Sequence, residues 1–262
     1  MILKRIWLLP ILAVGFLLAG MFSGYIIGTT RGDFPPILPF ISDGGAYSPE
    51  ASVFGQLLNI AGFLYIITIY IIHQHIFEFY GHYQKYERTK WWYGCQILMY
   101  IGFASAIGLM LVANFRETEI IVVHIIGALL AFFSMVIYGW GHVIFEYAVL
   151  PRLVPLFLCH IRVIIMLVTT ACLIVNLVAG FSNVFDQKDA GEFPGFNDMN
   201  RTKDSPFYTR LIVATSTEWG MVLAMQIFIL SFVFELRSFH VQAPKVILFK
   251  QENGEMHTKE IL

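Results

Sequence analysis

Apolar residues gather along this chain into six long runs, at about 6–28, 51–72, 92–113, 120–142, 160–181 and 211–235. Each run is roughly 20 residues long, enough for a helix to cross a hydrocarbon core of about 30 Å. The pattern predicts an all-α polytopic membrane protein, a bundle of six transmembrane helices in one membrane domain over residues 1–236, followed by a tail over 237–262. The first run follows Lys4 and Arg5 and has the outline of a signal peptide. It is long for one and no A-x-A site follows it, so it reads as a retained first helix.

The polar stretches between the runs set the orientation. Eleven basic residues lie at the N-terminus, in 73–91, around 146–162 and in the tail, against six in the other set of segments. Basic residues favour the cytosolic side, so both termini are expected there. Segments 29–50, 114–119 and 182–210 then face the lumen or exterior. The last of these contains Asn200-Arg201-Thr202, a glycosylation sequon on the matching side.

Composition agrees with this picture and removes other classes. Charged residues are 13% of the chain, against about 25% in a soluble domain. A net charge of −1 gives no reason to expect nucleic acid, and no glycine-rich phosphate loop is present. Cys95, Cys159 and Cys172 sit in or beside apolar runs with no CxxC spacing, so neither disulfides nor zinc are expected. No cofactor or metal is expected.

Candidate chemistry lies where polar groups interrupt the runs. Segment 29–50 is dense in proline and glycine and ends in Ser48-Pro49-Glu50, which suits a helix start. Gln56 and Asn59 share one face of the second span, the arrangement of polar residues that join neighbouring helices. His124 lies in the fourth span, followed by the small Gly127 and Ala128, which allow close approach of another helix. Glu218, followed by Trp219, lies near the start of the sixth, where a carboxylate is costly without a partner or a role. The fourth and sixth spans run in the same direction, so at about 1.5 Å per residue His124 and Glu218 lie at nearly the same depth. The expectation is a lumenal polar pocket of His124 and Glu218, joined as a charge-assisted pair and lidded by 29–50, with a buried pair that only fixes packing as the competing reading. Asp43 and Glu50 are the further carboxylates at that end. Asn176 and Arg162 are the remaining polar candidates, in the fifth span. His73, His75 and His82, among aromatic residues and Lys90, read as an interfacial belt.

Several of these motifs fall into a familiar order. Pro39, Ile41-Ser42-Asp43, Pro49-Glu50, Phe54-Gly55 and Leu58-Asn59 come first. Ala113-Asn114-Phe115 and His124-x-x-Gly127-Ala128 follow, and Glu218-Trp219 closes the set. Together they resemble the DRAM (damage-regulated autophagy modulator) family, within the FRAG/DRAM/Sfk superfamily of six-span membrane proteins. The resemblance covers nearly the whole membrane region. It implies a regulator of autophagy in the lysosomal or endosomal membrane, with the Golgi or plasma membrane as other sites.

Three readings follow. The first is a membrane regulator that binds a lipid headgroup or a membrane-protein partner through a lumenal pocket lined from His124, Glu218, Asp43, Glu50, Asn59, Gln56 and Trp219. The second is an intramembrane lipid-remodelling enzyme using His124 and Glu218, although the sequence sets no serine or cysteine beside a base. The third is a channel or proton-coupled transporter, which needs a polar path between the two faces.

Overall fold

The computed structural model describes residues 2–83, 89–196, 201–242, 249–252 and 255–258. Six helices long and apolar enough to span a bilayer are present: α1 (Leu8–Arg31), α2 (Glu50–Ile76), α3 (Lys90–Asn114), α4 (Ile121–Ala148), α5 (Leu156–Phe181) and α6 (Tyr208–Ser231). A bend at Phe232 leads into the short α7 (Val233–Leu236). Strands are confined to two antiparallel pairs outside the bundle, β1 (Ile2–Leu3) with β2 (Val241–Gln242) and β3 (Phe249–Glu252) with β4 (Glu255–Thr258).

The connections dictate the arrangement. Consecutive helices pair as α1–α2, α3–α4 and α5–α6, α2 packs on α3, and α6 returns to α1. By contrast, α4 makes little direct contact with α6. One end of the bundle carries the chain ends and the links 77–89 and 149–155. The other, called here the loop face, carries the lid (residues 32–49), the link 115–120 and the loop 182–207.

Small residues bring the helices together where the sequence expects it. Ala131 and Gly127 of α4 lie so close to Gly108 of α3 that no Cβ fits there. The lid is seated in a similar way. A Cβ at Gly24 of α1 would lie 2.5 Å from the Gly44 carbonyl oxygen, in the lid's short helical turn Ser42–Gly45.

Two expectations need correction. The second span does not end near 72: the helix continues through Ile76 and then a wider turn to Tyr83. His73 is also not at the interface but fully buried, with Nδ1 3.1 Å from Cys95 Sγ and its ring beside Tyr138. Its neighbours in sequence behave differently: His75 stacks on Phe239 at 3.9 Å, and the side chain of His82 lies outside the described residues. The three cysteines are free.

Candidate functional site

The lid is fastened to the bundle by the Glu218-Trp219 dipeptide near the middle of α6. The Ile41 N–H donates to Glu218 Oε2 at 3.1 Å, and Trp219 Nε1–H donates to the Pro39 carbonyl at 2.8 Å. The Trp219 ring also packs between Phe22 and Tyr25 of α1. Four further hydrogen bonds hold the lid from its other side. Ser42 Oγ donates to Glu117 at 2.8 Å, Thr118 Oγ1 donates to the Ala46 carbonyl at 3.0 Å, and Arg201 binds both oxygens of Asp43 at 2.6 and 3.0 Å. Asp43 also accepts from the Phe40 N–H at 2.8 Å. Asn176 of α5 supports the α6 turn, donating to the Ala214 carbonyl at 2.8 Å.

Beneath this lid, the gap between α4 and α6 forms a cleft of about 420 Å³. Its polar lining is Ser42, Glu117, His124 and Glu218, and its walls include Phe40, Phe196, Ile121 and Ile125. Deeper in the bundle a cavity of about 60 Å³ shares Ser42, His124, Ala128 and Glu218 with the cleft. A third, of about 70 Å³, shares Leu17, Leu109, Ala131, Phe132 and Val222 with the second. The three therefore lie end to end, from a polar mouth to an almost wholly apolar depth, whose lining includes a buried hydrogen bond from Tyr65 to Gln226.

His124 and Glu218 both line this cleft, but they do not form the expected charge-assisted pair. His124 Nδ1 lies 2.8 Å from the Phe115 carbonyl, and Glu218 is occupied with the lid backbone. A carbonyl can only accept, so Nδ1 carries the proton and, in the neutral ring, Nε2 is left as an acceptor. That nitrogen has no partner among the described residues. Backbone groups supply both partners, and no sequence pattern singles out one carbonyl or one N–H as the nearest.

The other candidates divide. Asp43 faces a neighbouring polar cavity of about 200 Å³, which it shares with Glu117 and Arg201. Glu50 is fully buried at the start of α2, with the Arg31 guanidinium 4.0 Å away. Asn59 exchanges side-chain hydrogen bonds with Asn114 of α3 at 3.0 and 2.8 Å. Gln56 is exposed. None of these last three lines the cleft, and Asn200 lies outside the described residues.

Glu117 is the residue sequence reasoning missed. It sits in the link 115–120, where a carboxylate looks like an ordinary solvated loop charge. Folding sets it between two cavities, and burial, with the Asp43 charge behind it, pushes its carboxyl up to about 7.

A second polar cluster lies near the terminal face. Arg162 of α5 is fully buried and binds Glu146 of α4, Glu235 of α7 at 2.8 Å and Ser231 Oγ at 2.8 Å, with the Phe232 ring 4.9 Å away. His142 Nδ1 lies 3.0 Å from Glu146. His142, Glu146 and Glu235 are close enough together to hold a metal ion. Both carboxylates already bind the guanidinium, however, so the cluster has its cation.

The comparisons with known proteins agree on one family. Two relatives match at 28% identity. Human DNA damage-regulated autophagy modulator protein 1 aligns over 90% of this chain and 93% of its own length, and bovine DNA damage-regulated autophagy modulator protein 2 over 90% and 86%. Mouse modulator of macroautophagy TMEM150B is 29% identical over 65% of this chain and 70% of its own. No solved structure matches. The Frag1/DRAM/Sfk1/Cwh43P N-terminal domain model matches residues 5–239, and the chain belongs to that family of membrane proteins.

Proposed function

We propose that this protein is a multi-pass membrane regulator of autophagy that holds a membrane lipid in the cleft between α4 and α6. One observation carries the lipid part: the cleft has a polar mouth at one membrane face and an apolar depth reaching inward, the amphipathic profile of a lipid headgroup and chain. The regulatory part draws on the relatives, two named as autophagy modulators and one as a modulator of macroautophagy. In this reading both termini are cytosolic, the loop face is lumenal, Asn200 is glycosylated, and the protein resides in the lysosomal or endosomal membrane.

The test fills the apolar depth. Phe132→Trp adds bulk where the two lower cavities meet. In cells lacking the protein, re-expression of the variant at normal abundance and location is expected to leave autophagic flux unrestored, and full restoration would overturn the reading. Asn200→Gln should remove a glycosidase-sensitive mobility shift, and an unchanged mobility would count against the orientation.

One contact favours a second reading, a lipid-remodelling enzyme. Ser42 sets a hydroxyl 2.8 Å from Glu117, in the cleft that His124 also lines. Purified protein that releases fatty acid or a headgroup from membrane lipid, and loses this on Ser42→Ala, would establish it. The channel reading has less support: among the described residues, the polar mouth and the Tyr65–Gln226 pair are separated by Leu17, Leu109, Phe132 and Val222.

A further inference from the structure

The chemistry of the cleft mouth is one-sided. Glu117 and Glu218 present carboxylate oxygens, His124 presents the unpartnered Nε2, and the Ser42 hydroxyl spends its proton on Glu117. Once Glu117 has lost its proton, every polar side-chain group there is thus an acceptor. No Lys or Arg is among the described residues lining the mouth, and the nearby Arg201 is committed to both oxygens of Asp43. His124 is largely buried, at 8% exposure, with Nδ1 held by the Phe115 carbonyl and Nε2 left to the cleft. An acceptor there favours a donor, and carboxylates that share a cavity repel each other unless a cation lies between them.

We infer that the cleft mouth takes the primary ammonium group of a membrane lipid. This rests on the lipid-cleft reading above and specifies its headgroup. Three N–H donors on one positive centre meet the need of two carboxylates and an imidazole nitrogen. Phe40 and Phe196, edge to face with centroids 5.1 Å apart, line the same mouth and offer ring faces to a cation. A headgroup with a phosphate and no ammonium would bring a third anion to two carboxylates and no cation to offset it. A quaternary choline would suit the rings but has no N–H for the acceptors. Elsewhere the chain shows the same solution built from its own residues: Arg162 sits among two carboxylates, a hydroxyl and aromatic rings. At the mouth, none of the described lining residues supplies that central cation.

The experiment measures lipid retention by the purified full-length protein, using native mass spectrometry with matched acyl chains. Phosphatidylethanolamine and sphinganine are the two ammonium sources, phosphatidylcholine and phosphatidylglycerol the controls, and free ethanolamine the competitor without chains. Both ammonium lipids are expected to be retained roughly tenfold or more over the controls. Retention of only one identifies the source. Free ethanolamine should not displace them, because the apolar depth is empty of it. Glu117→Gln should erase most of the preference while total lipid retention persists. Ile121→Lys, which adds an ammonium at the mouth from an exposed position of α4, should exclude these lipids without disturbing the core. Equal retention of all four lipids, or preference for phosphatidylglycerol, overturns the headgroup assignment and leaves the cleft as a lipid site. No retention of any lipid, unaltered by Phe132→Trp, overturns the lipid cleft itself.

Discussion

The two ends of this bundle treat charge in opposite ways. At the terminal face, Glu146 and Glu235 close on the Arg162 guanidinium, whose nitrogens bind both carboxylates and Ser231. At the loop face, Glu117, Glu218 and His124 surround a cavity instead of a cation. The first cluster joins α4, α5 and the end of α6 around a cation of its own, with Glu146 Oε2 and His142 Nε2 buried and left over. The second is complete only on its outer side, where Glu218 and Trp219 fasten the lid. A buried polar network built around a cation of its own chain fixes packing, and one whose acceptors line an open cleft is where the proposed ammonium would sit. One site already has its positive charge, and the other is an open cleft of about 420 Å³.

The comparison breaks most decisively at Arg162. Arg162→Ala would leave Glu146 and Glu235 buried without their cation, and removing one partner of a buried pair costs about 3–5 kcal/mol. The expected result is a large fall in thermal stability of the purified protein, measured by scanning fluorimetry in detergent. The triple variant Arg162→Met with Glu146→Gln and Glu235→Gln should recover much of that loss, because it removes the buried charges along with their partner. A single variant as stable as the parent would mean that the cluster carries no packing load.

A smaller effect sharpens the loop face. Burial and the Asp43 charge push the Glu117 carboxyl up to about 7, well above its ordinary value. The folded protein therefore binds a proton that the unfolded chain does not, between the ordinary carboxylate range and about 7. The empty protein is expected to lose stability as pH rises through that window, and Glu117→Gln should flatten the profile. Ammonium binding should change in the opposite direction, strengthening as Glu117 loses its proton. Melting curves from pH 5 to 8, with and without phosphatidylethanolamine, check both signs at once.

Much of this was legible in the sequence, and the boundary between what was and was not is physical. Six spans follow from the length of the apolar runs alone. The shared depth of His124 and Glu218 follows from direction and rise, and both do line one cleft. What they bond to was not legible. Glu218 reaches the N–H of Ile41, 177 residues away, and His124 reaches the Phe115 carbonyl, and backbone groups look alike at every position. Glu117, Ser42 and Arg201 were hidden for another reason. They sit in polar loops, where charge is ordinary, and only the folded lid gives them burial or a partner. His73 misled in the opposite way. An aromatic, histidine-rich stretch reads as a membrane edge, yet the helix continues and turns that ring into the core.

Single hydrogen bonds at the loop face come next in size. Trp219→Phe keeps the ring against Phe22 and Tyr25 but removes the bond to Pro39, worth about 1 kcal/mol. The lid should then open more often, so limited proteolysis within residues 32–49 should speed up several-fold while the melting temperature moves little. Cleavage at the parental rate would show that Glu218 and the contacts of Ser42, Asp43 and Ala46 hold the lid without Trp219.

The smallest effect separates two residues that the sequence set on one helix face. Asn59 exchanges two amide hydrogen bonds with Asn114, joining α2 to α3, whereas Gln56 is exposed. Asn59→Ala leaves the Asn114 amide without its cross-helix partner, at a cost of about 0.5–1 kcal/mol because Asn114 is exposed. Gln56→Ala should stay within about 0.5 kcal/mol of the parent, as surface substitutions do. Pairing each with Asn114→Ala gives the decisive number. The Asn59–Asn114 cycle should show coupling and the Gln56–Asn114 cycle none, and equal coupling in both would place Gln56 in the same helix contact.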